Sequence, residues 1–218
     1  MSKKILCFGD SNTWGYNPET KGRYPENVRW TGILKKNLLN DDVCVIEEGL
    51  CGRTTVFEDE IRPGRCGRDS IEKIFQKNKS INSVIIMLGT NDCKSYYKTS
   101  AKDIAKGMER CIDIILKNVS SENVLLISPI HLGKNVWKDE FDPEFNQDSV
   151  EVSKELKKEY LKIARRRKVN FLAASDYVNP SIEDQEHLNA DGHRRLAEII
   201  YRELYSFHTA VSATGATN

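Results

Sequence analysis

The sequence predicts a three-layer α/β domain built on a doubly wound, five-stranded parallel sheet. Two observations carry this prediction: five short apolar runs recur along the chain, and amphipathic helical patterns separate them. Right-handed crossovers then favour the flavodoxin-like strand order 2-1-3-4-5. With 218 residues, 39% of them hydrophobic, the chain can bury one sizeable core but is short for two. We therefore predict one domain over residues 1–207, followed by a flexible C-terminal tail over 208–218.

The five apolar runs are predicted to be the strands. They are mostly continuous in apolar character, which is typical of parallel strands with both faces covered by helices. The runs span residues 5–8, 43–46, 84–88, 124–127 and 169–173.

Two amphipathic patterns are the clearest helices between the strands. The first begins at Ser100 with a sequence similar to a capping box, and its apolar residues repeat at helical spacing through Leu116. The second spans about 149–168 and ends in four basic residues, 165–168. We interpret these as a solvated helix C-terminus that offsets the helix dipole, and not as a nucleic-acid patch, because no aromatic residue lies among them.

The composition argues against several classes of partner. Lys and Arg total 33 and Asp and Glu total 32, so no net field favours nucleic acid or an anionic membrane. The N-terminus enters the first strand without the apolar region of a signal peptide, and no run approaches the roughly 20 apolar residues of a membrane span. We therefore expect a cytoplasmic protein.

The cysteine pattern favours free thiols. The chain has six cysteines and no C-x-x-C pair, and three of the six, Cys7, Cys44 and Cys111, lie inside apolar strand or helix patterns. This distribution suits reduced, buried thiols better than a disulfide framework or a zinc site. The sequence therefore predicts no metal and no cofactor.

Small and polar residues follow the first three strands. GDS at 9–11 follows the first strand, Gly52 lies just after the second, and GTND at 89–92 follows the third. In open parallel sheets the functional site lies beyond the strand C-termini, near the switch point between the first and third strands. Three connections are also long enough to be binding loops or lids. They span residues 16–29, 51–68 and 131–148.

A serine at this edge of the sheet needs a base to become a nucleophile. His187 lies after the fifth strand and three residues beyond Asp184, so a single turn can bring the carboxylate back to the imidazole. His131 is a minor candidate near the site edge, His193 is interpreted as a core residue of the last helix, and His208 lies in the tail. Taken alone, the Asp184 and His187 pair is better interpreted as part of a solvated acidic loop.

The blocks taken together resemble the signature blocks of the SGNH, or GDSL-type, hydrolases. Ser11, Gly52, Asn91 and His187 occur in the family's order and span nearly the whole chain. The stretches ILCFGDSNTWGY, VRWTG, VIEEGL, GRTT and VIIMLGTND look closer still to bacterial arylesterases with acyltransferase and perhydrolase activity. The G-x-S-x-G elbow of α/β-hydrolases is absent, so that superfamily is a poorer comparison.

The resemblance implies the SGNH hydrolase fold and a serine esterase that acts on short-chain esters through an acyl-enzyme, with acyl transfer beside hydrolysis. Ser11 would be the nucleophile, His187 the base and Asp184 the residue that orients the imidazole. The backbone N–H groups of Ser11 and Gly52 and the side-chain amide of Asn91 would form the oxyanion hole. The expected partner is a small-molecule ester.

Five residues near these in the sequence carry a further expectation or a departure from the resembled subgroup. Trp14, three residues after the nucleophile, is expected to narrow the entrance as a substrate-binding residue, and Asp10 is expected to fix the turn. Cys51 and Cys93 adjoin Gly52 and Asp92 and are interpreted as buried, inert thiols. Asn12 departs from the resembled subgroup, which often has an aliphatic residue there, and so does the charged loop over 131–148.

Two alternatives stay open at this point. A carbohydrate O-deacetylase would use the same residues on a different ester. A non-catalytic, flavodoxin-like module whose strand-end loops bind a phosphate rests on fold analogy alone. The resemblance and the small residues of the tail also favour a homo-oligomer.

Overall fold

The sheet of the computed structural model has five parallel strands in the order β2-β1-β3-β4-β5, which confirms the predicted topology. The structure describes residues 2–78 and 80–214. Each strand overlaps the apolar run that predicted it. The strands are β1 (Lys3–Gly9), β2 (Val43–Gly49), β3 (Ser83–Met87), β4 (Val124–Ser128) and β5 (Asn170–Ala173).

Helices connect the strands and cover both faces of the sheet. The α4 helix begins as predicted, because the Ser100 side chain accepts a hydrogen bond from the Asp103 backbone N–H. Near the basic end of α5, Arg166 and Arg167 form ion pairs with Glu109 of α4, which agrees with a structural role for this end. The helices are α1 (Ser11–Trp14), α2 (Trp30–Asn37), α3 (Gly67–Lys77), α4 (Ala101–Leu116), α5 (Gln147–Arg167) and α6 (Ala190–Thr214).

Each face of the sheet has its own hydrophobic core. Along β1, Leu6 and Phe8 pack against α3, α4 and α5, whereas Ile5 and Cys7 pack on the other face against α2 and α6. Side chains of a strand alternate between the two faces, so a strand that is covered on both must be apolar throughout. This explains why the apolar runs are continuous.

The edge strand β2 departs from this pattern. It pairs only with β1, and its residues are mostly half-buried. Cys44 is exposed there, so the prediction that it is buried is wrong. An edge strand has a neighbour on one side alone, and an apolar sequence does not by itself ensure that both of its faces are covered.

The C-terminal ends of the first three strands lie side by side. Gly9 of β1 pairs with Gly49 of β2 and with Met87 of β3. Because the three strands are parallel, the segments that follow them emerge at the same edge of the sheet. This register brings together the three signature blocks noted in the sequence.

The last helix continues to Thr214, beyond the boundary predicted at residue 207. The flexibility predicted for 208–218 stays a prediction, and residues 215–218 lie outside the described residues. None of the helices within 2–78 and 80–214 combines the length and apolar character that a bilayer span requires.

Candidate active site

The turn after β1 places Ser11 at the first position of the short helix α1. The Asp10 carboxylate caps this helix by accepting a hydrogen bond of 3.0 Å from the Asn12 backbone N–H. A Cβ atom on Gly9 would lie 2.1 Å from Thr13 Oγ1, so the turn closes only with glycine there. Asp10 is almost fully buried, and burial raises the pKa of its carboxyl to about 7.

A chain of hydrogen bonds joins Ser11 to the loop before α6. His187 Nε2 lies 2.8 Å from Ser11 Oγ, and His187 Nδ1 lies 2.6 Å from Asp184 Oδ2. The other carboxylate oxygen of Asp184 accepts hydrogen bonds from the backbone N–H groups of Glu186 and His187, at 3.0 and 2.9 Å. The carboxylate therefore fixes both the loop and the ring.

The surroundings of His187 favour its cationic form. Burial alone would lower the pKa of the imidazole, but the negative charges of Glu186 and Asp184 outweigh burial and raise this pKa above its ordinary value. For Asp184, burial opposes ionisation, but the hydrogen bond and charge of His187 lower its pKa. The Tyr16 ring packs 4.3 Å from the imidazole, centroid to centroid. An imidazole held in this way can take a proton from Ser11.

Asn12 links the first strand end to the histidine loop, a role that the sequence analysis missed. Its side-chain amide donates to the Glu186 carbonyl oxygen at 3.4 Å, and its side-chain oxygen accepts from the Leu188 backbone N–H at 2.9 Å. These two bonds flank His187 on either side along the chain. Asn12 stands where the resembled subgroup often has an aliphatic residue. Its two hydrogen bonds tie the start of α1 to the loop that carries the imidazole.

The Gly52 loop is tied to the end of β3. Gly52 has φ +81°, a backbone conformation that favours glycine. The Asn91 side-chain amide donates to the Arg53 carbonyl oxygen at 3.1 Å. The buried Asp92 carboxylate accepts from the Thr55 backbone N–H at 3.0 Å and from its hydroxyl at 2.5 Å. Burial raises the pKa of Asp92 to about 6.

Arg53 links the ends of β1 and β2. Its guanidinium donates to the Gly9 carbonyl oxygen at 2.9 Å and to the Glu48 carbonyl oxygen, and it lies 4.2 Å from the centroid of the Phe8 ring. Burial lowers the pKa of Arg53 to about 10. The three strand ends are thus connected through buried polar side chains, which makes the frame around Ser11 rigid.

A cavity of about 360 Å³ opens onto the Ser11 and His187 pair, and Gly52 and Asn91 also line it. We call it the Ser11 cavity. All three long connections predicted to be binding loops contribute to its lining. They supply Tyr16, Pro18 and Lys21, then Cys51, Gly52, Arg62 and Arg65, and finally Glu140, Phe141 and Asp142.

Trp14 does not line this cavity, so the structure gives no support to its expected substrate-binding role. Its backbone packs against Gly49, and its ring lies 5.3 Å from the Arg23 guanidinium. Trp14 ends the short helix α1, and its carbonyl oxygen accepts a hydrogen bond of 2.7 Å from the Arg23 guanidinium. Tyr16 and Phe141 supply the aromatic surface instead.

Neither His131 nor His193 lines the cavity. His131 is half-buried with a lowered pKa, caused first by burial. His193 is fully buried, as predicted, and its Nδ1 accepts from the Trp30 backbone N–H at 3.3 Å. Burial lowers the pKa of His193 to about 3. The side chain of His208 lies outside the described residues.

The two cysteines beside Gly52 and Asp92 have raised pKa values. Cys51 is half-buried and lines the cavity, and burial raises its pKa to about 11. Cys93 is buried, and burial raises its pKa well above the ordinary value. Thiolate is the reactive form of cysteine, so both thiols are poor nucleophiles.

Comparison with known proteins agrees with this geometry. The sequence matches the GDSL-like lipase/acylhydrolase family over residues 7–195, a span that includes Ser11, Gly52, Asn91, Asp184 and His187. A carbohydrate acetylesterase from Sinorhizobium meliloti is 33% identical and has a TM-score of 0.84, covering 94% of this chain and 99% of that one. The native aryl esterase of M. smegmatis is 32% identical with a TM-score of 0.83, covering 94% and 100%. No curated protein sequence gives a significant match.

Proposed function

The chain belongs to the GDSL-like lipase/acylhydrolase family of SGNH hydrolases, and on that premise we propose that it hydrolyses short-chain carboxylic esters with Ser11, His187 and Asp184 as its catalytic triad. One observation carries the proposal. The hydrogen bonds from Ser11 Oγ through His187 to Asp184 are continuous, and their serine end faces the Ser11 cavity. Membership of an esterase family overturns the alternative of a non-catalytic binding module.

Acylation begins when Ser11 Oγ attacks the ester carbonyl carbon. His187 Nε2 takes the hydroxyl proton, and Asp184 stabilises the imidazolium and holds its Nδ1–H. The same Nε2–H then protonates the oxygen of the leaving alcohol, which departs and leaves Ser11 acylated. In the second half of the reaction, His187 removes a proton from water while the water oxygen attacks the acyl carbon. The bond from this carbon to Ser11 Oγ then breaks, His187 returns the proton to Ser11 Oγ, and the carboxylic acid departs.

Three donors are proposed to stabilise the oxyanion. The backbone N–H groups of Ser11 and Gly52 have no hydrogen-bond acceptor within residues 2–78 and 80–214, so both are free to bind a ligand oxygen. Asn91 uses one amide hydrogen on the Arg53 carbonyl oxygen and keeps a second. Donors that are already in place when charge develops cost no reorganisation in the transition state.

Replacing Asn91 with alanine is expected to lower kcat by roughly 100- to 1000-fold with little change in KM, because its donor acts on charge that appears only in the transition state. Steady-state kinetics on an aryl acetate measure this. Asn118→Ala, an exposed asparagine at the end of α4, is the matched control and should keep full activity. A folded Asn91→Ala protein with wild-type turnover would mean that Asn91 is not an oxyanion donor.

The acidic limb of the pH profile is expected to have its midpoint above 6.5. His187 must be neutral to accept the Ser11 proton, and the charges of Glu186 and Asp184 raise its pKa above that ordinary value. Activity should therefore be at its maximum above the raised pKa of His187 and should fall as the pH drops through that pKa. The measurement is kcat/KM for an aryl acetate between pH 5 and 9, corrected for spontaneous hydrolysis. A midpoint at or below 6.5 would contradict this electrostatic account.

Acyl transfer to an alcohol is proposed beside hydrolysis. Trp14, which was expected to exclude water, does not line the cavity, whereas Tyr16 and Phe141 do. These two rings still give the entrance an apolar surface that an alcohol can contact. In a panel of aryl esters, we expect the highest kcat/KM for short acyl chains. When an alcohol is added to the reaction, we expect part of the acyl group to appear as the ester of that alcohol. Hydrolysis without any new ester would remove the acyl-transfer proposal.

Carbohydrate O-deacetylation is the second candidate function. The charged lining of the Ser11 cavity favours it, because sugar hydroxyl groups can hydrogen-bond to carboxylates and guanidinium groups. The S. meliloti structure, described as a carbohydrate acetylesterase, agrees with it. Comparing acetylated sugars with aryl acetates at equal concentration separates the two candidates.

The cytoplasmic location and the homo-oligomer remain proposals.

A further inference from the structure

Glu186 places a second carboxylate beside the proposed catalytic imidazole. The Glu186 side chain lines the Ser11 cavity, and the residue as a whole is only 6% exposed. The Glu186 Oε1 atom lies 3.8 Å from His187 Nε2, which is the ring nitrogen that contacts Ser11 Oγ. Asp184 contacts the opposite nitrogen. The proposed mechanism uses Asp184 and gives Glu186 no role.

The Glu186 carboxylate has no hydrogen-bond donor in the part of the chain that the structure describes. Its backbone carbonyl oxygen is bound by the Asn12 amide, so the peptide itself is held in place. Lys94, a cation of the same cavity, forms its ion pair with Glu144. Burial raises the pKa of Glu186, which reflects the cost of a carboxylate with little solvent and no donor.

The position of this carboxylate relates it to the leaving alcohol. In the proposed mechanism the ester oxygen that departs must contact His187 Nε2 to receive its proton. A group on the second carbon of the alcohol, next to the carbon that carries this oxygen, then lies within reach of Glu186 Oε1, because this atom is 3.8 Å from the same nitrogen. An ionised carboxylate accepts hydrogen bonds and donates none, so the group that fits is a hydroxyl.

We propose that Glu186 is a specificity-determining residue that binds a second hydroxyl group of the leaving alcohol, so that the enzyme favours esters of diols, polyols and sugars. The inference rests on the proposed function, because it uses the proton transfer from His187 to locate the leaving oxygen. A hydroxyl donor gives the buried carboxylate a charge-assisted hydrogen bond. A simple alkyl or aryl alcohol displaces solvent from Glu186 and leaves it without a donor, which costs affinity.

Two acetates of matched shape test this proposal. In 2-hydroxyethyl acetate a hydroxyl stands where propyl acetate has a terminal methyl group, so the pair differs in one hydrogen-bonding group. The quantity measured is the ratio of kcat/KM for the hydroxyethyl ester to that for the propyl ester. Both esters are assayed in the same buffer on the pH plateau, so an effect of Glu186 on His187 affects both values and cancels in the ratio.

The variants are Glu186→Gln, which keeps the shape, and Glu186→Leu, which removes the acceptor. We expect the ratio to fall about 10- to 100-fold in Glu186→Leu, the loss of a hydrogen bond to a charged group. The fall should be smaller in Glu186→Gln, because the neutral amide oxygen can still accept a hydrogen bond. Glu183→Gln is the matched control, because Glu183 lines the same cavity but is exposed and accepts from the Ser181 hydroxyl. Its ratio should stay within about twofold of the wild type, since that carboxylate already has a donor.

Each outcome decides one point. An unchanged ratio in both Glu186 variants overturns the proposal while leaving the esterase function intact, and so does an equal loss in Glu183→Gln. Active-site titration with an organophosphate normalises every rate to folded enzyme, so poor folding of one variant does not imitate the effect. A wild-type protein that cleaves neither ester and takes up no organophosphate would instead overturn the proposed function, and the Glu186 proposal with it.

Discussion

Replacing Ser11 with alanine is expected to lower kcat for aryl acetates on the order of 10⁶-fold. The variant lacks the oxygen that attacks the carbonyl carbon, so no acyl-enzyme forms and only the oxyanion donors and binding remain. The small change in volume at the start of α1 leaves the Asp10 cap intact, because the cap uses the Asn12 backbone N–H. The thermal midpoint should therefore stay close to that of the wild type.

The matched control for this prediction is Ser70→Ala. Ser70 is a half-buried serine on α3 whose hydroxyl donates to the Cys66 carbonyl oxygen, away from the Ser11 cavity. Ser70→Ala should keep wild-type turnover. This result would show that the loss in Ser11→Ala is specific to Ser11 and does not follow from removing any serine hydroxyl. A Ser11→Ala protein that retains a tenth of wild-type activity, in a preparation free of host esterase, would contradict the assignment of the nucleophile.

Replacing Asp184 with asparagine is expected to lower kcat about 10⁴-fold. The asparagine side chain keeps the shape and can still accept the backbone N–H groups of Glu186 and His187 through its remaining oxygen. Its amide, however, presents a donor to His187 Nδ1, which favours the tautomer with a proton on Nε2. That tautomer cannot accept the Ser11 proton, and the charge that stabilises the imidazolium is also gone.

Asp176→Asn is the control for this charge change. Asp176 pairs with Lys157 at the protein surface, so removing its charge should leave kcat unaffected. The pH profile adds an independent readout, because loss of the Asp184 charge should also lower the pKa of His187. If Asp184→Asn kept more than about a tenth of wild-type kcat, the 2.6 Å contact to Nδ1 would have no catalytic role.

The fold could be predicted because burial on both faces of a parallel sheet leaves a direct mark on the sequence. β3 and β4 are flanked by strands on both sides, and their residues are almost entirely buried, so both appear as short unbroken apolar runs. β2 is less clear, since an edge strand tolerates the exposed Cys44 and the charged residues near its end. Periodicity cannot distinguish a covered edge strand from an open one.

The candidate site could be predicted only in part from the residue types and their spacing. Ser11 and His187 are far apart in sequence, and nothing local indicates that their side chains lie 2.8 Å from each other. The resemblance to a family supplied that pairing. A helix of four residues and the turn after it are too short to show a period in the sequence, which is why Trp14 was expected in the cavity and Tyr16, two residues later, was missed. The hydrogen bonds of Asn12 and the exposure of Glu186 to the cavity likewise depend on the folded path of the histidine loop.

Covalent labelling with diethyl 4-nitrophenyl phosphate tests the central claim most directly, the claim that His187 activates Ser11 as the nucleophile. The wild-type protein is predicted to take up one diethyl phosphoryl group, located on Ser11 by peptide mass spectrometry, with complete loss of esterase activity. Ser11→Ala should take up none, and His187→Ala should react far more slowly. An active enzyme that resists the reagent, or inactivation with the label on another residue, would contradict the account.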